Sequence, residues 1–178
     1  MSIKESKIKH LIREYLLDEG ILRNKIPPAE KKLEFGFQFS FPPGQRGHMM
    51  VVFKPKEKDI IIVSLGTQIS PLHVNALNSL KDNKKLQFFM DLRKYFLVKD
   101  VLYRIDIPNY RYEILDQYFL DKDGVISKNT FFDLVKKVFN CGVYSNIILG
   151  EYCAGKIKLE DFEKAKEFSS QSDFSLYS

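Results

Sequence analysis

A strict alternation of apolar and polar residues from Leu33 to Phe41 is the feature that most restricts the fold of this chain. A period of two is typical of a β-strand, because successive side chains point to opposite faces of the sheet. An exposed row of phenylalanines could stack with nucleic-acid bases, but such platforms carry basic residues on the same face. Because this face has none, we expect it to form a core wall packed against the first helix. Its apolar members are Leu33, Phe35, Phe37, Phe39 and Phe41.

Two further apolar runs, Met49–Phe53 and Ile60–Val63, predict neighbouring strands. Neither run alternates, whereas an antiparallel strand that is covered on one side normally does. We therefore expect both faces of these inner strands to be covered. A second pair of strands is predicted at Val101–Ile107 and Tyr110–Leu120, with a turn at Pro108-Asn109 between them.

The helices are predicted from apolar residues spaced three and four apart and from their start signals. The first covers Lys4–Glu19. Ser70-Pro71 is a typical N-cap and first helical position, and it predicts a short helix, a break at Lys81–Asn83 and a second helix to Val98. A last long helix is predicted from Ser127 to Tyr152. The inner stripe of the helix that ends at Val98 is predicted to contain Leu86, Phe89, Met90, Arg93, Phe96 and Leu97.

The order of these elements predicts an α+β fold with an antiparallel five-stranded sheet, α-β-β-β-α(split)-β-β-α. We expect a single domain over residues 1–168, which ends in an amphipathic segment, Leu159–Phe168. Residues 169–178 are predicted to be a polar C-terminal tail.

Composition sets limits on the class of protein. The chain has 178 residues, of which 44% are hydrophobic, so it can bury a core and is not disordered as a whole. It contains only two cysteines, and no apolar run approaches the roughly 20 residues that cross a bilayer. We expect a soluble cytoplasmic protein with no membrane partner. The net charge of +5 is spread along the chain, which argues against a dedicated nucleic-acid surface.

The sequence contains no motif that predicts a reaction. It lacks a phosphate-binding loop, a nucleophile elbow and a dinucleotide fingerprint. None of His10, His48 and His73 has a partner at metal-ligand spacing. We therefore predict no catalytic residue, no cofactor and no metal site, and we expect the protein not to be an enzyme. An enzyme site built from Arg104, Asp106 and His73 is the weakest alternative.

One loop is a candidate contact site. Pro43–His48 joins two predicted strands, and within it Arg46 and His48 offer hydrogen-bond donors. The next turn adds Lys54, Lys56 and Lys58. These five residues are the predicted contact residues, and they also carry the alternative function, nucleic-acid binding through a diffuse basic surface.

The element order resembles the type III secretion chaperone-like fold, which is also seen in YbjN-like proteins. The chain also resembles an uncharacterised archaeal protein family of about this length. The resemblance covers roughly residues 4–153 and carries no motif, so it assigns no site residue. It implies a protein-interaction or chaperone-like module, because proteins of that fold often dimerise and several bind unfolded protein segments. We accordingly expect a homodimer with a protein or peptide partner.

Overall fold

The computed structural model describes residues 3–27, 32–45 and 47–157 of the chain. These ranges contain six strands and four helices. In chain order the elements are α1 (Ile3–Asp18), β1 (Leu22–Lys25), β2 (Leu33–Phe41), β3 (His48–Pro55), β4 (Ile60–Gln68), α2 (Pro71–Asn78), α3 (Asp82–Val98), β5 (Leu102–Asp106), β6 (Arg111–Phe119) and α4 (Lys128–Cys153).

The α+β class and the antiparallel sheet are confirmed, but the predicted strand number is wrong. The strands form one six-stranded sheet in the order β1-β2-β3-β4-β6-β5. The additional strand is β1, which pairs with β2 through Leu22 and Phe39. β1 has four residues and only one apolar side chain, so neither its length nor its pattern predicts a strand.

Gly36 on β2 has no side chain, and this leaves space for Ile26, the residue that follows β1, to run alongside β2. The Ile26 N–H donates to the carbonyl of Gly36 over 2.9 Å. A Cβ atom on Gly36 would lie 3.1 Å from Cδ1 of Ile26, which is tighter than ordinary contact. The glycine on the polar side of β2 therefore makes room for Ile26.

The chain divides into two compact units. The first consists of Met1–Leu65 with Ile114–Cys141, and the second of Gly66–Glu113 with Gly142–Ser178. The single domain expected over residues 1–168 stays a prediction. The predicted helix at Leu159–Phe168 and the tail at 169–178 lie outside the described residues.

In the first unit, the predicted phenylalanine wall is confirmed. Phe35, Phe37 and Phe39 are buried in the core, and β2 contacts α1. The edge of the Phe41 ring packs against Phe139 of α4 with centroids 5.2 Å apart, so the wall also meets this helix. Other core side chains of this unit are Ile8, Ile12, Leu16, Met50, Val52, Ile61, Val63, Phe131, Val135 and Val138.

The inner strands β3 and β4 are only partly as expected. Met50 and Val52 are buried on the phenylalanine side of the sheet, since they pair with Phe39 and Phe37. On the other side Met49 is exposed and Phe53 is half-buried. The expectation that both faces are covered therefore holds for the phenylalanine side, whereas the other side is covered only in part, since Ser64 is buried there but Met49 is exposed.

In the second unit, the predicted helix start and the break are confirmed. The Ser70 hydroxyl accepts a hydrogen bond from the His73 N–H, and α2 begins at Pro71. α3 begins at Asp82, inside the predicted interruption, so the break between the two helices lies at residues 79–81. Within the described residues, no helix combines the length and the apolar character of a membrane span.

Replacing Gly47 by alanine is expected to destabilise the protein by about 1–3 kcal/mol, since overpacking has costs of that order. A Cβ atom at this position would lie 2.6 Å from the carbonyl oxygen of Pro42, a backbone atom that cannot swing aside. Urea unfolding followed by circular dichroism measures the change.

Gly150→Ala is the control for this substitution. Its Cβ has no atom within 4 Å, and it lies inside α4, where alanine is favoured by up to about 1 kcal/mol. An unfolding midpoint that is unchanged in Gly47→Ala would contradict the steric account of the loop.

Candidate protein-interaction surface

α3 has three different sides. One side lies in the core of the second unit and contains Phe88, Phe89, Leu92 and Phe96. This corrects the predicted inner stripe, of which only Phe89 and Phe96 are buried. This side holds all three phenylalanines of α3 together with Leu92, and one charged residue, Lys85, lies half-buried at the N-terminal end of the same arc.

A second side of α3 is fixed to the C-terminal part of α4. The Tyr95 ring stacks on Tyr144 with centroids 4.3 Å apart and planes inclined by 19°. The Tyr152 hydroxyl donates to Oδ2 of Asp91 over 2.6 Å. These contacts set the rotation of α3 about its axis, and so they decide which residues point outward.

The Tyr152–Asp91 hydrogen bond shifts the pKa of both groups. Its donation to the carboxylate is the main reason that the pKa of Asp91 is lowered from 3.8, with smaller contributions from Gln87 and Lys94. Burial first, and then the hydrogen bond and charge of Asp91, raise the pKa of Tyr152 to about 12. The pair is therefore a neutral phenol and an ionised carboxylate at neutral pH.

Tyr152→Phe is expected to lower the free energy of unfolding by about 1 kcal/mol at pH 7, since Asp91 is partly solvated. Asp91 is ionised more readily in the folded protein, so this stabilisation is present above the usual aspartate pKa. It is lost as the pH falls through the lowered pKa of the folded state. Urea unfolding at pH 7 and below pH 3.8 should therefore show a difference between the variant and the parent that shrinks in acid. A difference that grows in acid would contradict the assignment.

The third side of α3 points outward and carries exposed apolar residues. Leu86, Met90 and Leu97 are 56%, 39% and 66% exposed, respectively. At 100° per residue, these three and Arg93 fall within about 60° of arc. We call Leu86, Met90, Arg93 and Leu97 the α3 stripe. Scattered exposed leucines are common, but a run of this length on one face is typical of an interaction surface.

Two residues of opposite charge lie on or beside this face. Asp82 lies at the start of α3 and Arg93 in its second half, and both are exposed. In the part of the chain that the structure describes, neither side chain forms an ion pair. Both charges are therefore available to a partner.

The predicted contact residues have different environments. The edge of the His48 ring packs on Phe139 with centroids 5.5 Å apart, so this side chain is half-buried. Lys56 and Lys58 are exposed in the turn between β3 and β4. Arg46 lies outside the described residues. The structure therefore places only Lys56 and Lys58 at the surface as expected.

Lys54 is buried, in contrast to its neighbours. Its side chain is 6% exposed, and its Nζ donates to Oε2 of Glu34 over 2.6 Å, while a second carboxylate, on the exposed Asp59, lies 3.9 Å away. The pairing register of β2 and β3 shifts between Leu33 and Phe35. Such a bulge re-aims a side chain, and here it accounts for Glu34 reaching Lys54. Lys54 is therefore a structural residue and does not present its charge to a partner.

Two residues of the weakest alternative, an enzyme site, form local hydrogen bonds, and the third, Arg104, is exposed on β5. His73 is hydrogen-bonded to Ser70, and Asp106 accepts from Asn109 and Arg111. Within the described residues, no group of three potential metal ligands exists. A pocket of about 320 Å³ in the second unit is lined by other residues, namely Leu80, Lys84, Glu151 and Tyr152.

The sequence pattern predicts that the α3 stripe lies in the core. The competing arc through Phe88, Leu92 and Phe96 is comparably apolar, and each arc contains one charged residue, Arg93 in the stripe and Lys85 in the other. The spacing of residues in α3 therefore does not by itself decide which face is buried.

The chain is similar to a solved structure and matches the model of a protein family. A solved structure of an uncharacterised protein from Methanothermobacter thermautotrophicus is similar, with a TM-score of 0.71 and 22% sequence identity over 80% of this chain and 96% of that one. At this identity the likeness shows the fold alone. No curated protein matches the chain. The model of the family described as "Uncharacterized conserved protein (DUF2299)" matches residues 8–149. The chain therefore belongs to the DUF2299 family, in agreement with the expected uncharacterised family.

Proposed function

We propose that this protein is a non-catalytic protein-interaction module and that the α3 stripe is its binding surface. The observation that carries the proposal is the exposure of Leu86, Met90 and Leu97 on one face of a helix whose other sides are fixed by packing. Burying one such side chain contributes about 1.5–3 kcal/mol. Three of them contribute about 5–9 kcal/mol, of which at least about 4 kcal/mol is lost on association, so this surface supports weak binding with a Kd of about 0.2 mM or higher.

The shape of the surface favours a helical partner. From Leu86 to Leu97 the stripe extends about 17 Å along the axis, or three turns of helix. An amphipathic helix with apolar residues three and four apart could pack along it in the usual ridge-and-groove manner. The Arg93 stem would cover apolar surface while its guanidinium stays in water.

The resemblance to the type III secretion chaperone-like fold supports the same proposal. Proteins of that fold often dimerise, and several bind unfolded segments of other proteins. The observed sheet has one strand more than the predicted order, at the β1 edge. A chaperone-like activity and a homodimeric state are accordingly part of the proposal.

Binding of a fluorescein-labelled amphipathic helical peptide, with leucines three and four apart, tests the proposed function. Fluorescence anisotropy is expected to give a Kd of about 0.2–1 mM, the affinity expected for three apolar side chains on one helix face. The double variant Leu86→Ser/Leu97→Ser is expected to bind at least about tenfold more weakly.

The control is Leu17→Ser, since Leu17 is an exposed leucine on α1, in the first unit. It should leave the affinity unchanged. Absence of binding by the parent protein, or equal binding by the parent and the double variant, would contradict the assignment of the stripe.

Nucleic-acid binding is the second candidate, and the exposed Lys56 and Lys58 favour it. Burial of Lys54 removes one of its expected phosphate contacts. If this candidate is right, the affinity for mixed DNA or RNA must fall steeply between low and physiological salt. The double variant Lys56→Glu/Lys58→Glu must also bind nucleic acid more weakly than the parent protein at the same salt concentration. No binding at low salt excludes it.

A further inference from the structure

The α3 stripe is nearly symmetric along the helix axis, and this symmetry favours one kind of partner. Together with Asp82, the residues of the α3 stripe are almost symmetric about Met90, because reversing the helix direction places each position within one residue of a member of the set. We infer that a second copy of this chain packs on the stripe, with the two α3 helices antiparallel. This inference rests on the proposed function and names its partner.

Charge complementarity is the argument for a second copy. When Met90 of one copy lies beside Met90 of the other, Asp82 lies about five residues, roughly 7.5 Å along the axis, from the second copy's Arg93. The long arginine side chain can span that distance. A two-fold axis repeats the contact, so the interface contains two such pairs. A parallel arrangement would instead place like charges together.

The apolar positions fit the same arrangement. Leu86 of one copy lies level with the second copy's Arg93, whose aliphatic stem can cover it. Leu97 lies level with the start of the second copy's helix. The three exposed apolar residues of each copy are thereby covered, with Asp82 at the end of the contact and Arg93 between Met90 and Leu97.

A charge-swap experiment tests the orientation. Arg93→Glu alone, or Asp82→Lys alone, should weaken self-association about tenfold, because each introduces two like-charge contacts. The double variant Asp82→Lys/Arg93→Glu should restore self-association to within about threefold of the parent, since the pairs are rebuilt with reversed sign. Lys84→Glu is the control, because its side chain lies on another side of α3. Analytical ultracentrifugation measures all four association constants against the parent protein.

Cysteine cross-linking tests the position of the axis. Met90→Cys should form a disulfide-linked dimer under mild oxidation, while Lys84→Cys should not. The two native cysteines, Cys141 and Cys153, are buried and do not compete.

The mass of the parent protein measured by light scattering should approach twice 20.8 kDa at high concentration.

The outcomes separate the inference from the proposed function. A mass that stays at 20.8 kDa, no rescue by the double charge swap, or equal cross-linking at both positions would overturn self-pairing through α3. Peptide binding that depends on Leu86 and Leu97 would in that case still support the interaction module, with another protein's helix as the occupant. If neither self-association nor peptide binding depends on these residues, the α3 stripe is not a binding surface.

Discussion

Replacing Glu34 by leucine is expected to destabilise the protein by about 3–5 kcal/mol, because it leaves a buried ammonium group without its hydrogen-bonded carboxylate. Lys54 is 6% exposed, and its nearest remaining carboxylate oxygen would be that of Asp59, 3.9 Å away on an exposed side chain. That distance is too long for a hydrogen bond, so the ammonium group would lose its short charge-assisted partner.

The double variant Glu34→Leu/Lys54→Met should be within about 1 kcal/mol of the parent protein, since an apolar pair of similar volume often replaces a buried ion pair without loss. Oε1 of Glu34 is buried and has no hydrogen-bond partner among the described residues, so the native pair is itself incompletely satisfied. Urea unfolding of the parent, both single variants and the double variant gives the coupling energy. A cost below 1 kcal/mol for Glu34→Leu, or additive single effects, would show that the pair contributes little.

The second large effect is expected on α3, where neighbouring residues should respond in opposite ways. Phe96→Ala is predicted to cost about 3–5 kcal/mol, because a buried phenylalanine leaves a cavity when it is truncated. Its ring contacts Tyr95, Tyr103 and Tyr112. Leu97→Ala should change the stability by less than about 0.5 kcal/mol, as expected of a surface position.

The same pair of variants separates stability from binding. Leu97→Ala should keep the unfolding midpoint and lose peptide affinity, since Leu97 belongs to the stripe but not to the core. If Leu97→Ala destabilised the protein as much as Phe96→Ala, the stripe would be part of the core as first predicted, and the proposed binding surface would not exist.

The sequence was informative where one face of an element is clearly apolar. The phenylalanines of β2 identify both the strand and its buried face, because the period of two leaves no other assignment. Ser70 and Pro71 identify the start of α2, because their side chains act within the first turn of the helix. Both features depend on neighbours in the sequence, and so they can be predicted from it.

Features that depend on distant parts of the chain were not predictable. β1 forms because β2 offers it an edge and Gly36 leaves room for Ile26, neither of which is apparent from the residues of β1 itself. α3 has apolar residues on two faces, and the choice between them depends on its contacts with α4. The burial of Lys54 depends on a bulge in the neighbouring strand, whereas its charge alone suggests a surface residue.

The two outermost strands of the sheet have a consequence for aggregation. β1 has four residues and includes Arg23 and Lys25, and β5 has five and includes Arg104 and Asp106. Short, charged edges discourage another chain from adding a strand by backbone hydrogen bonding, which is how fibrils grow. The phenylalanine-rich strand β2 lies inside these edges. A chain so rich in β-forming residues can thus expose apolar side chains on a helix without offering a template for amyloid.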